Sequence, residues 1–382
     1  MKITGGHFIW DRERRRLRRS EKRASVLRPL LRQWRFWLGL LVSLVFIWWL
    51  WSQITNFGQV QDAFQTANYW YLLPALAVYF LGVWVRAVRW RYLLAPVRLV
   101  PSSRLFPVVV IGYMANDVLP ARMGELVRAY AIGEKENVSK SAAFATIVVE
   151  RIFDGLTMVL FIGGVLVMGF FPFGPDLQRV FGPDLQKILA VAGIIFVGIF
   201  ALFVAVAASP ALTNAIVGLM LRFVPAGLRP KVSGLVQRFV EGLGILQSAK
   251  GTAIVLGLSV LAWLCEAAMY YILTFSFNLP LPFYALMLTA AVANLGTLVP
   301  SSPGYVGTFD ALAVFALLLF LNADTYRNVA VSYTVLLHVA LLVPITILGL
   351  YYWWRFNLSL SKVRAAATTG TNGPTVLESE KA

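Results

Sequence analysis

Between residues 36 and 354 the chain returns repeatedly to apolar runs of about twenty residues, the length of a helix that crosses a bilayer. In lipid every backbone N–H and C=O needs a partner within its own segment. The runs also lack the period-two alternation of a barrel strand, so each is read as a helix. With 59% hydrophobic residues, 14% charged residues and a mean hydropathy of +0.71, the chain carries too much apolar surface for a water-soluble globule. The expectation is an all-α, polytopic helical membrane protein.

Charge sets its orientation. Residues 1–35 hold twelve Lys or Arg against three acidic residues. A nucleic-acid-binding arm has the same look, but this block directly precedes the apolar run 36–54 and reads as a cytoplasmic anchor at anionic lipid, with no nucleic-acid partner expected. No small-residue cleavage site follows, so the run is an anchor and not a removable signal peptide. Segment 55–68 has no Lys or Arg and belongs outside. Arg86, Arg89, Arg91, Arg98 and Arg104, in and after the second span at 69–94, belong inside, with Arg86 read as snorkelling to the headgroups.

Spans at 141–170 and 187–208 lead into the basic stretch 209–250, read as cytoplasmic interfacial helices. Spans at 252–277 and 328–354 complete six full crossings, with both termini cytoplasmic in the cell membrane. The membrane region is placed at 36–355, and the polar tail 356–382 reads as disordered by composition.

Two apolar pieces, 105–119 and 283–299, are too short for ordinary spans. Each ends in [LV]-P-x-x-x-G with an Asn a few residues earlier: Asn116, Pro120 and Gly124 in the first, Asn294, Pro300 and Gly304 in the second. Proline and glycine at that spacing break a helix and turn it back. Read as tips of two opposed helical hairpins, the pieces satisfy the loop charges and trace an inverted repeat, whose interrupted segments mark a binding site. The competing reading is that two Pro/Gly loops merely resemble each other.

Charge inside membrane-grade sequence is costly, about 2.5–3.5 kcal/mol per mid-bilayer group on insertion scales, so it marks function or pairing. At 100° per residue Thr146, Glu150, Asp154 and Thr157 fall within roughly 80° of one another, with Arg151 about 60° from Asp154. This polar stripe reads as the wall of a hydrophilic groove, or else as helix-to-helix ion pairing. Ser259, Glu266, Tyr270 and Thr274 form a second stripe. Glu266 needs a cation in space, with Arg122, Arg128 or Arg151 as candidates, unless it is protonated.

The lone Cys265 excludes a disulfide framework, and His7 and His338 have no spacing for zinc or for a Ser/His/Asp site. His338 reads as a hydrogen-bonded core histidine in preference to a catalyst or proton carrier. No catalytic residue, metal or cofactor is expected. Without a GxxxxGK[ST] loop, direct ATP hydrolysis is not expected either.

The run N-D-x-L-P-A-R-x-G-E-L-x-R from Asn116 to Arg128, S-x-x-x-x-T-x-x-x-E-R-x-x-D from Ser141 to Asp154, and P-x-x-P-G-x-x-G from Pro300 to Gly307 resemble the flippase-like membrane region of the lysylphosphatidylglycerol synthases and their stand-alone relatives. The acidic residue after the last motif is Asp310, where a glutamate closer to the glycine is usual in the family. The resemblance covers about 36–355 and implies lipid handling: movement of an aminoacylated phospholipid between leaflets, or service to polyprenyl-linked sugar pathways. This chain carries no soluble aminoacyltransferase domain and no fused glycosyltransferase, so neither synthesis is expected of it. A phosphate-bearing lipid would be held by Arg122, Arg128 and Arg151, and an amine or coupling cation by Glu125, Glu150, Asp154 and Glu266. Membrane lipids, anionic ones foremost, are the expected partners, with lipid or cell-envelope synthesis enzymes beside them. A membrane-embedded lipid transferase, with His338 and Asn294 or Asp310 as its weak candidate site, and a non-transporting scaffold are the alternatives.

Overall fold

The computed structural model describes residues 34–119, 123–167, 248–298 and 301–358, with isolated positions between 187 and 218. The N-terminal basic block, the span at 187–208, nearly all of 209–250, the tail from 359, and Pro120, Arg122 and Pro300 lie outside the described residues. Among those described, every regular element is a helix, and three stretches are long and apolar enough to cross a bilayer: Tyr69–Leu94, Ala249–Phe277 and Ala323–Arg355.

Helix α1 (Trp34–Ser52) meets the short α2 (Phe57–Thr66) at an 89° bend. Asn56 caps α2, its side-chain oxygen accepting from the N–H groups of Gly58 and Gln59 at 2.8 and 3.3 Å. Asn328, far along the chain, accepts from Thr55 N–H at 3.0 Å and donates to Gln59 at 2.6 Å, tying the elbow to the last helix. The stretch expected as an outside loop is thus largely a capped helix.

Two halves follow. The first is α3 (Leu72–Leu94), α4 (Ser102–Val118), α5 (Gly124–Glu136) and α6 (Lys140–Val167), and the second is α7 (Ala249–Thr274), α8 (Phe283–Gly296), α9 (Thr308–Leu318) and α10 (Ala323–Arg355). Each runs long, short, short, long. Exchanging α3 with α7, α4 with α8, α5 with α9 and α6 with α10 carries each packed pair onto another: α4 on α10 answers α8 on α6, α5 on α6 answers α9 on α10, and α3 packs on its own counterpart α7. Buried alanines such as Ala262, Ala267, Ala290, Ala293 and Ala313 let these backbones close up, as lipid-embedded interfaces require.

The α3–α7 pair is antiparallel. Asn68 N–H donates to the Ser276 carbonyl at one end, and Arg89 reaches Ser259 at the other. Helix α4 leaves the C-terminal end of α3 and α8 the C-terminal end of α7, so the hairpins α4–α5 and α8–α9 enter from opposite sides. Their tips meet: a β-carbon on Gly304 would lie 3.5 Å from the Asp117 carbonyl oxygen.

Each tip is fixed locally. Asn116 Oδ1 accepts the Gly124 N–H at 2.7 Å, and any side chain at Gly124 would strike Asn116 and the Gly112 carbonyl. At the second tip Gly304 has φ +71°, a region open to glycine, and Asp310 accepts the Gly307 N–H at 2.9 Å to cap α9. Pro344 lies inside the continuous α10.

Candidate functional site

The polar stripe of α6 faces two arginines of α3. Arg89, with no exposed surface, lies 2.6 Å from Asp154 Oδ1 and 3.2 Å from Glu150 Oε1, and donates to Ser259 at 2.8 Å. Arg128 grips Glu150 with two parallel bonds of 2.9 and 3.0 Å while its guanidinium stacks 4.3 Å from the Trp90 ring. Arg86 meets Glu266 at 2.6 Å and lies 5.0 Å from the Trp263 ring, whose Nε1 donates to Asp154 at 3.0 Å. Arg151 joins through Nη2, 2.9 Å from Glu150 and 3.4 Å from Asp154. The result is one network of four guanidiniums and three carboxylates linking α3, α5, α6 and α7. The Nε atoms of Arg86, Arg89 and Arg128 have no hydrogen-bond partner among the described residues.

This network forms one wall of a cavity of about 350 Å³ at the meeting of the hairpin tips. Arg86, Arg151, Asp154 and Glu266 line it on that side, Asn116, Asp117 and Glu125 from the first hairpin, Asn294 from the second, and His338 from α10. Leu295, Leu298, Leu341, Leu342 and Ile345 are among its apolar lining. Asn294 Nδ2 donates to Glu266 at 3.0 Å, joining the second tip to the charge network. His338 is buried, bonded to Asp310 and to the Gly304 carbonyl.

Of the residues singled out in the sequence, the structure gathers Asn116, Glu125, Arg151, Asp154, Glu266 and Asn294 around one space. Arg128 and Glu150 stand behind it, joined by their bidentate bond, with Glu150 also held by Arg89 and Arg151. Two expectations are corrected. Arg86 does not snorkel: it is 3% exposed and supplies the cation for Glu266 that was sought in Arg122, Arg128 or Arg151. Arg89, read only as a marker of the cytoplasmic side, is the hub of the network. Its i, i+3 spacing from Arg86, which puts both on one face of α3, was the available signal.

A helical membrane protein with ion-paired walls around a polar cavity, closed by two opposed hairpins, is the class that fold and site define. The chain belongs to the family of the lysylphosphatidylglycerol synthase transmembrane region, whose family model matches residues 36–349. Similar proteins include a UPF0104 membrane protein of Methanothermobacter thermautotrophicus, 26% identical over 267 residues, 67% of this chain and 78% of the relative. A second such protein, from Methanocaldococcus jannaschii, is 21% identical over 204 residues, 53% of this chain and 79% of its own. The glycosyltransferase AglD of Haloferax volcanii is 27% identical over 270 residues, 64% of this chain but only 43% of that enzyme. No solved structure matches the chain.

Proposed function

We propose that this protein carries a phosphate-bearing lipid, a phospholipid or a polyprenyl-phosphate-linked one, between leaflets of the cell membrane, its headgroup sheltered in the cavity while its tails stay in lipid. The cavity between the hairpin tips carries the reading. At about 350 Å³ it has room for one headgroup, equivalent to roughly a dozen waters at ~30 Å³ each. Arg151 offers it a guanidinium that is 41% exposed, with one edge steadied by Glu150 and Asp154 and donors left over for phosphate. Asp117, Glu125 and Glu266 stand in the same lining for an amine or a coupling cation. In repeat-built transporters opposed broken helices form such a site, and alternating access is rocking or gating of one repeat against the other around it. In this reading both termini are cytoplasmic, and anionic lipids and lipid or cell-envelope synthesis enzymes are the partners.

The test is movement of a headgroup-labelled lipid in sealed vesicles. Arg151→Gln is expected to slow transfer at least about tenfold, the worth of one charge-assisted bond, at equal protein content in the membrane. Transfer no faster than in protein-free vesicles, or unaltered by the substitution, would sink the proposal.

One observation favours a membrane-embedded transferase as the second reading. His338 lines the cavity with Asp310 bonded to it, and one relative is named a glycosyltransferase. Product formed from lipid by the purified protein would establish it, and neither product nor movement would leave a scaffold.

A further inference from the structure

The His338 ring faces an acceptor at each nitrogen. Nδ1 lies 2.7 Å from Asp310 Oδ1, and Nε2 lies 2.8 Å from the carbonyl oxygen of Gly304. A carbonyl oxygen can only accept, so Nε2 carries a proton. The Nδ1 contact then needs a second proton, on the ring or on the carboxyl group. Either placement gives the pair the same count, one proton more than a neutral imidazole beside a carboxylate.

We propose that His338 and Asp310 form a site for one exchangeable proton, and that this proton latches the second hairpin tip through the Gly304 carbonyl. Release of the proton to the cavity leaves the ring a single N–H. A hydrogen bond to a carboxylate is about twice as strong as one to a neutral carbonyl, so that N–H stays with Asp310. The bare Nε2 then faces the Gly304 oxygen lone pairs and the contact is lost.

Asp310 cannot follow the tip, because its other oxygen caps α9 through the Gly307 N–H. Movement therefore falls on Gly304, which sits at φ +71° beside the Asp117 carbonyl of the first tip. Unloading the pair frees the point at which the hairpins meet. The ionisable groups that line the cavity with His338 are Tyr113 and Asp117 on α4, Tyr79 and Arg86 on α3, Glu125 on α5, Arg151 and Asp154 on α6, Glu266 on α7 and Tyr305 in the tip. Arg86 and Glu266 offset one another at 2.6 Å. Use of this proton to drive lipid transfer rests on the carrier reading; the latch itself does not.

Full-length protein with His7→Asn, held in nanodiscs, has His338 as its sole histidine. Nitrogen NMR of labelled histidine at neutral pH is expected to show both ring nitrogens protonated. The equivalent outcome is one ring proton together with an infrared band of a protonated carboxyl group that Asp310→Asn removes. Raising the pH then strips one proton, and amide exchange across 301–307, corrected for the chemical effect of pH, quickens by up to about tenfold, the worth of one hydrogen bond. A bare ring nitrogen beside an ionised Asp310 at neutral pH overturns the proposal, as does deprotonation without change in that segment. Absent lipid movement with these signals intact would sink the carrier reading alone.

Discussion

Arg89, with no exposed surface, directs its charge at Asp154 at 2.6 Å and at the fully buried Glu150 at 3.2 Å. Removing one member of a buried pair costs about 3–5 kcal/mol, because the partner stays behind uncompensated. Arg89→Met, which keeps much of the volume, is therefore expected to lower stability by that amount in unfolding from mixed micelles. The exposed pair Lys140–Glu134, each side chain 44% exposed, gives the contrast: Lys140→Ala should cost about 0–1 kcal/mol. Equal shifts for the two would mean that the network is solvated and does not act as a structural charge cluster. Arg151 shares the same carboxylates but keeps an open face, so Arg151→Gln should affect transfer more than stability.

The hairpins depend on glycine at points where a side chain is costly. Gly304 holds φ +71°, so Gly304→Ala forces an L-residue into the left-handed region at roughly 1–2 kcal/mol. Gly257, inside α7 with nothing near its missing β-carbon, is the counter-case, and Gly257→Ala should stabilise by about 0.5–1 kcal/mol. Thermal unfolding of the two variants checks the signs, and stabilisation by Gly304→Ala would show the tip to be less constrained than its backbone implies. These turns were legible in the sequence because proline and glycine at the ends of short apolar runs have few other uses. The spans at 69–94, 252–277 and 328–354 were legible too, from length and hydropathy. What escaped was the pairing across helices. Arg86 and Arg89 stand near a membrane boundary, where topology explains any arginine, and nothing local reveals that Glu266 and Asp154 approach them from residues far along the chain. The elbow at α2 escaped for a related reason: its clamp, Asn328, lies in another helix. Asn56 before an alternating polar and apolar stretch was the local sign.

The whole fold turns on α3 and α7, the antiparallel pair that each half contributes to the axis between them. Its contact holds both the close approach of Gly82 to Ala262 and Cys265 and the buried Arg86–Glu266 bond. Sliding this pair would break the Arg86–Glu266 ion pair and the Arg89–Ser259 bond, so in the carrier reading the halves are joined there as a hub and the hairpins move. A β-carbon on Gly82 would lie 3.0 Å from that of Cys265, about 0.8 Å inside the ~3.8 Å usual in a disulfide, so the two helices must part slightly for the bond to form. Since Cys265 is the sole cysteine, Gly82→Cys alone creates the test. Oxidation is expected to lock α3 to α7 and to leave lipid transfer within about twofold of the reduced protein, as a hub at rest requires. Transfer that stops on oxidation and returns on reduction would instead place the working motion at the axis, with each half rocking as a body and the hairpins carried along.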